Sequence, residues 1–277
     1  PFGGAIANIW NTKIENMNVT AQSTGASAEN LRLISAGDAE YATVQNDVMD
    51  YAYNGTDMFE GKALPNLATL GTMYPEVIQI AASKSSGIKS IYDLKGKRVS
   101  VGDAGSGVEF NAKQILEGYG LTFDDIQKNN LSFKESGEGL QNGTLDACFI
   151  TAGVPNAALQ ELAFTNGLVL IPVNGPEADA ICEKYGFYTK TTIPGGTYKG
   201  TDTDTEALAI KCTIAVNANL DEDTVYKMTK ALFENLEELG NAHAKGKEVS
   251  VEKAVTGVSV PFHPGAKKYY MEVGAVK

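Results

Sequence analysis

Short apolar segments alternate with longer amphipathic segments along most of the chain. The segments 67–73, 77–82, 98–101, 145–150 and 207–217 are apolar or alternate with β-branched residues, as strands do. Most are followed by stretches with helical periodicity, and strands that alternate with helices are typical of parallel sheets covered on both faces. We therefore predict an α/β fold with mostly parallel sheets flanked by helices.

The same pattern predicts individual elements that a structure can test. We expect a first helix from Pro1 to about Ile14, with proline in its first turn, and strands at 17–21 and 131–133. Tyr74-Pro75 is expected to separate two strands. One long helix is expected over Leu220–Leu239, because its first residues are acidic and its apolar positions are helically spaced.

Three predicted strand-to-helix turns are rich in glycine or hydroxyl residues, at 22–27, 102–107 and 151–156. In α/β sheets, ligands bind beyond the carboxyl ends of the strands, where such turns gather. We therefore expect the three turns to converge on one ligand.

The turn at 102–107 has the clearest chemistry. Gly102, Gly105 and Gly107 allow backbone conformations closed to other residues, and Ser106 can cap the helix that follows. Unpaired N–H groups at a helix start attract a carboxylate or phosphate. Taken alone, the glycines could equally close a tight connection, and the absence of a Gly-Lys-Ser/Thr sequence excludes a nucleotide P-loop.

Two further segments carry candidate polar groups. Thr24 or Ser27 can cap the helix that contains Asn30, so the turn at 22–27 has a structural explanation beside its ligand role. Gln45 and Asn46 follow a short strand, and a primary amide there can donate to a carboxylate or accept from an amine.

Composition and charge exclude several classes of function. The chain has 277 residues, long enough for two domains, and 43% of them are hydrophobic. With 34 acidic and 23 basic residues its formal charge is −11, so we expect no nucleic-acid partner. No apolar run approaches the roughly 18–20 residues of a membrane-spanning helix. Three cysteines are too few for a disulfide framework, and we expect small buried hydrophobes at all three.

Enzyme signatures are scarce. His243 and His263 belong to no zinc-protease or nucleophile-elbow motif, and no obvious base accompanies Ser106. The acidic loop 202–206 does not match an EF-hand. Arg32 and Arg98, the only arginines, are expected on the solvated surface. A carboxylate ligand would then be bound by neutral donors and helix dipoles, or by a buried lysine, rather than by an arginine. We expect no catalytic residue, no metal and no cofactor.

Several motifs, spread in order through nearly the whole chain, together resemble the TAXI class of TRAP-transporter solute receptors. They are 22–30, 45–47 with 52–55, 74–76, 93–102 with 105–107 and Asn111, 143–146, and 152–156 with 159–162. The family has a further strand and a glycine-rich turn before the segment that matches Pro1–Gly4, so either that strand was left out of the numbering or the protein lacks it. The start of the predicted first helix at residue 1 favours a preceding segment that was removed or not numbered.

The resemblance implies the two-lobed fold of type II periplasmic receptors. One lobe would comprise 1–83 and 189–277 and the other 84–188, with two hinge crossings near 82–83 and 189–190 and closure around the ligand. The implied ligand-binding residues are Thr24, Gly25, Ala26, Ser27, Asn30, Gln45, Asn46, Tyr74, Gly105, Ser106, Gly107, Val108, Asn111, Thr151, Gly153 and Pro155.

The resemblance also implies a function. We expect a monomeric periplasmic or extracytoplasmic receptor, with or without a lipid anchor, that delivers glutamate, glutamine, or a 2-oxo or C4–C5 dicarboxylic acid to the permease subunits of a TRAP transporter. An ABC-importer receptor of the same fold is the first alternative. The second is a small-molecule enzyme built on this scaffold, which a catalytic base or metal ligands near Ser106 and Thr151 would indicate.

Overall fold

The computed structural model describes residues 2–277, so Pro1, expected in the first helical turn, lies outside the described residues. The helices, numbered α1 to α11, are Phe2–Lys13, Ser27–Ala36, Asn46–Asn54, Gly107–Gly118, Phe133–Gln141, Ala157–Thr165, Gly175–Tyr185, Glu222–Phe233, Leu236–Ala242, Val251–Ala254 and Pro264–Glu272. The strands, numbered β1 to β8, are Tyr41–Gln45, Leu67–Ser83, Arg98–Ser100, Gln127–Asn129, Ala147–Ala152, Leu168–Ile171, Thr189–Ile193 and Thr205–Asn217. Short 3₁₀ helices connect some of them, at Asp57–Phe59, Lys84–Ser86, Ile91–Leu94, Phe123–Asp125 and Ala244–Glu248.

The chain divides into two compact units. Unit 1 contains the residues up to Tyr74 together with Lys211–Lys277, and unit 2 contains Pro75–Ile210. The two divisions fall inside the long strands β2 and β8, whereas the lobes were expected to divide at 83/84 and 188/189. Unit 2 is one continuous segment and unit 1 is formed by two separate segments. The expected lobe division stays a prediction.

In unit 1, β1 runs antiparallel to β8, with Tyr41 opposite Val216 and Gln45 opposite Cys212. Helices α1, α8 and α11 bury their apolar faces in one core, which includes Ile6, Leu70 and Leu232. The indole N–H of Trp10, a fully buried residue, donates to the carbonyl of Met228 at 2.8 Å. The partner for this N–H lets the ring be buried without losing a hydrogen bond.

In unit 2, β3 pairs in parallel with β4 and β5, while β5 and β6 pair with β2 in antiparallel fashion. Alternate residues of the central strands face different helices. Phe149 packs in the core with α4 and α7, whereas its neighbours Cys148 and Ile150 pack in the core with α6. A strand buried on both faces needs an unbroken apolar sequence, as 147–150 has.

The α/β class with helices flanking the sheet is confirmed, but the sheet is mixed rather than mostly parallel. β1 with β8, β2 with β5, β2 with β6 and β7 with β8 are all antiparallel. The apolar pattern could not reveal this, because a strand buried on both faces reads alike in either direction.

The strand expected at 17–21 is absent. Residues 17–24 form no ladder. Instead, Asn11 of α1 holds the backbone of Val19, accepting its N–H at 2.6 Å and donating to its carbonyl at 2.8 Å. One side chain replaces a partner strand here, which a propensity pattern cannot show.

Three other elements differ from expectation. β2 continues through Tyr74-Pro75, where Pro75 is exposed, so the ring does not displace a buried ladder bond. The long helix expected over Leu220–Leu239 ends at Phe233 and a new one starts at Leu236, because Asn235 leaves helical geometry (φ −126°, ψ 35°). The strand expected at 131–133 lies at 127–129, and Ser132 caps α5 instead.

Among residues 2–277, no helix combines the length and the apolar composition that crossing a bilayer requires. Cys148 and Cys212 are buried as expected, whereas Cys182 is half-buried at the edge of the unit 2 core.

The two-sided core of unit 2 predicts the effect of removing a ring. Phe149 is fully buried, so Phe149→Ala should lower the free energy of unfolding by about 3–5 kcal/mol through lost transfer energy and a cavity. The matched control is Phe164→Ala, because Phe164 is 70% exposed, and its effect should stay below about 0.5 kcal/mol. Urea denaturation of both variants measures the difference, and equal effects would contradict the assignment of Phe149 to the core.

Candidate functional site

The turn at 102–107 forms the connection that the sequence predicts, between β3 and α4. Gly102 has φ +84°, and a Cβ at this position would lie 2.7 Å from the Cβ of Val108. The hydroxyl oxygen of Ser106 accepts the N–H of Glu109 at 3.2 Å and so caps α4. Asp103 is exposed. Glycine is therefore required at 102 both for its backbone conformation and for space.

A carboxylate of the protein already occupies part of the start of α4. Glu109 accepts the N–H of Gly105 at 2.7 Å, the ammonium of Lys128 at 2.6 Å and the amide of Asn130 at 3.0 Å. Burial opposes its ionisation, but these hydrogen bonds outweigh burial and lower the pKa of Glu109. The N–H groups of Gly107 and Val108 find no acceptor among the described residues. Of the expected backbone donors, these two have no acceptor, whereas the N–H of Gly105 donates to Glu109 and the N–H of Ser106 donates to the carbonyl of Asp103.

Two of the predicted site residues of unit 2 are in direct contact. The hydroxyl of Thr151 donates to Oδ1 of Asn111 at 3.0 Å, and Nδ2 of Asn111 donates to the hydroxyl of Tyr188 at 3.0 Å. Tyr188 in turn donates to Gln114, and all four side chains are buried. The network joins the end of β5 to α4, the helix that follows the turn at 102–107.

Sequence reasoning missed Tyr188 and Gln114. Gln114 could have been found, because it lies three residues after Asn111 and therefore on the same face of α4. Nothing local to Tyr188 points to its role, since its partner is 77 residues away in the chain.

The turn at 151–156 is held by a second polar network. The backbone N–H of Asn156 donates to the hydroxyl of Tyr198 at 2.8 Å, and Tyr198 donates to the buried side chain of Gln79. Asn156 also caps α6 with its side chain. Within this turn Gly153 is half-buried and Pro155 is exposed. Their role in binding stays a prediction.

In unit 1, the turn at 22–27 and the start of α2 place three predicted residues together. The hydroxyl of Thr24 donates to Oδ1 of Asn30 at 2.5 Å, and Asn30 donates to the carbonyl of Thr43 at 3.0 Å. The carboxylate of Glu29 accepts the N–H of Gly25. Thr24 and Asn30 line a cavity of about 290 Å³ between residues 20–24 and 38–43.

The expected cap of α2 is wrong. The N-cap is Ala26, which has φ +81° and no capping side chain, while Ser27 is already the first helical residue. An alanine in this region of backbone space costs about 1–3 kcal/mol, and such strain is found chiefly at ligand sites and switch regions. The N–H groups of Ser27 and Ala28 have no acceptor among the described residues, so the start of α2 keeps two donors for a ligand.

Gln45 is the clearest candidate in unit 1. It ends β1, precedes α3, and is 5% exposed. Its backbone N–H donates to the hydroxyl oxygen of Ser27 at 3.1 Å, which joins the starts of α2 and α3. Its side-chain Oε1 is buried, and no donor of the described residues reaches it. A buried polar group without a partner costs about 1–3 kcal/mol, so such groups are rare in folded proteins.

Asn46 and Tyr74 make contacts within unit 1. Oδ1 of Asn46 accepts the backbone N–H of Lys211 at 3.0 Å, and its Nδ2 donates to the carbonyl of Gly257 at 3.5 Å. Tyr74 packs edge-on against Phe2, with the ring centres 5.0 Å apart. Both residues thus have a structural role beside the ligand role predicted for them.

The predicted residues therefore form two groups, one in each unit. In unit 1, Thr24 contacts Asn30 and Ser27 contacts Gln45, and in unit 2 Asn111 contacts Thr151. Convergence of the three turns on one ligand stays a prediction. Among residues 2–277, no group of three or more histidine, cysteine or acidic side chains is placed to hold a metal.

Comparison with protein families identifies the chain. A model of the NMT1-like family matches residues 1–274. The chain belongs to the NMT1-like family.

Solved structures that resemble this NMT1-like protein are binding proteins with the same fold. The periplasmic aliphatic sulphonate binding protein SsuA from Escherichia coli is 16% identical, with 98% of this chain and 79% of SsuA covered and a TM-score of 0.55. The P235GK mutant of ArgBP from T. maritima is 13% identical, with 90% and 84% covered and a TM-score of 0.54. The substrate binding protein of an amino acid ABC transporter is 13% identical, with 92% and 87% covered and a TM-score of 0.50.

Arg32 of the NMT1-like protein is exposed, as the sequence predicts, whereas Arg98 is half-buried and ion-paired. Arg98 makes a two-pronged ion pair with Asp146, with its Nη2 2.7 Å and its Nε 3.1 Å from the carboxylate, and donates to the carbonyl of Gly143. Arg32 places its guanidinium 5.0 Å from the ring centre of Phe59. The pair at Arg98 ties the start of β3 to the start of β5.

The ion pair predicts a pH dependence of stability. Hydrogen bonds from Arg98 lower the pKa of Asp146, so the pair stabilises the fold above the ordinary carboxyl pKa and is lost as the pH falls through the lowered value. Asp146→Asn should therefore cost about 1 kcal/mol at neutral pH, a modest figure because solvent screens the pair. The cost should shrink in acid.

Urea denaturation at neutral and acidic pH measures this difference. The exposed Asp124, which makes no ion pair among the described residues, provides the control Asp124→Asn. A cost for Asp146→Asn that is independent of pH would contradict the proposed origin of the stabilisation.

Proposed function

We propose that this NMT1-like protein is an extracytoplasmic solute-binding receptor that captures a small organic acid or amino acid and delivers it to a membrane permease. The observation that carries the proposal is the side chain of Gln45, a buried amide oxygen with no donor among the described residues. A ligand with an N–H or O–H group would supply the missing hydrogen bond and recover its cost.

Unused backbone donors support an acidic group on the ligand. Ser27 and Ala28 at the start of α2, and Gly107 and Val108 at the start of α4, leave N–H groups without acceptors among the described residues. Such groups, with the positive end of the helix dipole, bind carboxylates and other anions. An amino acid, with an acid and an ammonium group, would satisfy both these donors and Gln45.

The choice of permease is part of the proposal. The motifs that resemble TAXI receptors favour a TRAP transporter, with glutamate, glutamine, or a 2-oxo or C4–C5 dicarboxylic acid as the solute. A receptor for an ABC importer is the second candidate. It is favoured by the likeness to an ABC-transporter binding protein for amino acids and to the sulphonate-binding SsuA.

We also propose that the protein is not an enzyme. Ser106, the residue most like a nucleophile, uses its hydroxyl oxygen to accept the N–H of Glu109 and cap α4. Its occurrence between two glycines is accounted for by helix capping.

Ligand-dependent stabilisation tests the function. We expect one compound among L-glutamate, L-glutamine, 2-oxoglutarate, succinate, L-arginine and ethanesulfonate to raise the melting temperature, because a ligand at 100 times its Kd stabilises the fold by about 2.7 kcal/mol. Differential scanning fluorimetry, followed by calorimetric titration of any compound that acts, measures the effect. Stabilisation by none of the compounds would contradict the proposed class of solute.

The role of Gln45 has a separate test. Gln45→Leu removes the amide at nearly constant volume, and the affinity for the compound found above should fall about tenfold or more, because a lost hydrogen bond to a charged group costs about 1.5–3 kcal/mol. Gln160→Leu, on the exposed face of α6, is the matched control. Unchanged affinity in Gln45→Leu would remove Gln45 from the site.

A further inference from the structure

Lys211 is placed beside the predicted ligand residues of unit 1. Between Ala207 and Val216, only Lys211 and Thr213 interrupt an otherwise apolar strand. The backbone N–H of Lys211 donates to Oδ1 of Asn46 at 3.0 Å. The lysine is half-buried.

The ammonium group of Lys211 is held by neutral oxygens. Its Nζ donates to the carbonyl of Thr256 at 2.8 Å and to the hydroxyl of Thr256 at 2.5 Å. Gly257 leaves room for it, because a Cβ there would lie 3.2 Å from Nζ. No carboxylate of the described residues comes within 4.0 Å of Nζ, in contrast to Lys128 and Lys230, which pair with Glu109 and Glu272.

A second lysine, Lys253, lies near Lys211. The amine of Lys253 donates to the carbonyl of Glu248 at 3.0 Å, and it too has no carboxylate of the described residues within 4.0 Å. Burial lowers the pKa of Lys211, and the positive charge of Lys253 lowers it further. Lys211 and Lys253, neither of which pairs with a carboxylate of the described residues, thus lie close enough for their charges to interact, on a chain whose formal charge is −11.

This arrangement is unusual in energetic terms. A partly buried charge is unfavourable unless an opposite charge or a full set of hydrogen bonds compensates it. An ammonium has three N–H donors, of which Thr256 accepts two, so one remains for a further acceptor.

We propose that the ammonium of Lys211 binds the anionic oxygens of the solute's acid group. The inference rests on the proposed receptor function and deepens it, because it makes a carboxylate or sulfonate on the solute the feature that unit 1 recognises. Lys253 contributes long-range attraction, and Asn46 positions Lys211 through its backbone.

The competing explanation is purely structural. Lys211 and Thr72 both bond to the segment 253–256, Thr72 by donating to the carbonyls of Lys253 and Thr256. A lysine that only anchored this segment to β8 would affect stability and not anion binding. The test therefore needs a measurement of anion binding that does not respond to a change in stability.

The first measurement is chemical labelling of the wild-type protein. An amine-acylating reagent is applied with and without succinate, ethanesulfonate or the uncharged succinamide, and mass spectrometry follows each lysine. Succinate or ethanesulfonate should slow the modification of Lys211 at least threefold and leave the exposed Lys113 unchanged, whereas succinamide should protect neither. The anion that protects distinguishes a carboxylate from a sulfonate ligand. Equal labelling of Lys211 under all conditions would overturn the inference.

The second measurement is calorimetric titration with succinate, L-glutamate and ethanesulfonate. Lys211→Met should lower the affinity for the tightest-binding of these compounds at least tenfold. Lys113→Met, which changes the net charge equally, should weaken it less than twofold. Lys211→Met with wild-type affinity but a lowered melting temperature would establish the anchoring explanation instead.

The two proposals can fail separately. If a panel compound binds but neither labelling nor Lys211→Met shows an effect, the receptor function stands and the role of Lys211 is overturned. If anions protect Lys211 while no compound of the panel binds tightly, the anion site stands and the proposed class of solute is overturned.

Discussion

Polar side chains buried where strands end must be hydrogen-bonded, and the candidate site depends on how this constraint is met. In unit 2 the protein meets it internally. Asn111, Thr151 and Tyr188 bond to one another, and Gln79 bonds to Tyr198, which also holds the turn before α6. These networks fix the backbone conformation of the connections after β3 and β5. They thereby orient the N–H groups of Gly107 and Val108, which have no acceptor among the described residues.

In unit 1, some buried polar groups lack a hydrogen-bond or charge partner among the described residues. The amide oxygen of Gln45 is buried without a donor among the described residues, and the ammonium of Lys211 is half-buried without a carboxylate. Ala26, the N-cap of α2, also carries backbone strain. Each feature costs free energy in the protein by itself. A bound amino acid would offset the first two, because its ammonium would donate to Gln45 and its carboxylate would accept from Lys211. Their position around Asn46 and Ser27 is the physical reason for assigning solute binding to this part of unit 1.

The sequence could predict part of this site. Gly102, Ser106 and Gln45 were recognisable because turn chemistry and helix capping are local, and the structure places them at the junctions expected. The partners of these residues were not recognisable. Tyr188 contacts Asn111 across 77 residues and Lys211 contacts Asn46 across 165, and no local pattern encodes such pairs. The ion pair of Arg98 was missed for the same reason, because its partner Asp146 lies 48 residues later.

By itself, the sequence determined the α/β class, most helices and strands, and the three glycine- or hydroxyl-rich turns, because hydrophobic periodicity and turn residues act within a few positions of the chain. Only the tertiary structure decided that the sheet is mixed, that residues 17–24 lack a partner strand, and that Glu109 occupies part of the start of α4. It also decided which buried polar groups are satisfied and which remain for a ligand. Those outcomes depend on which distant segments meet, and a hydrogen bond or an ion pair exists only once both of its ends are in place.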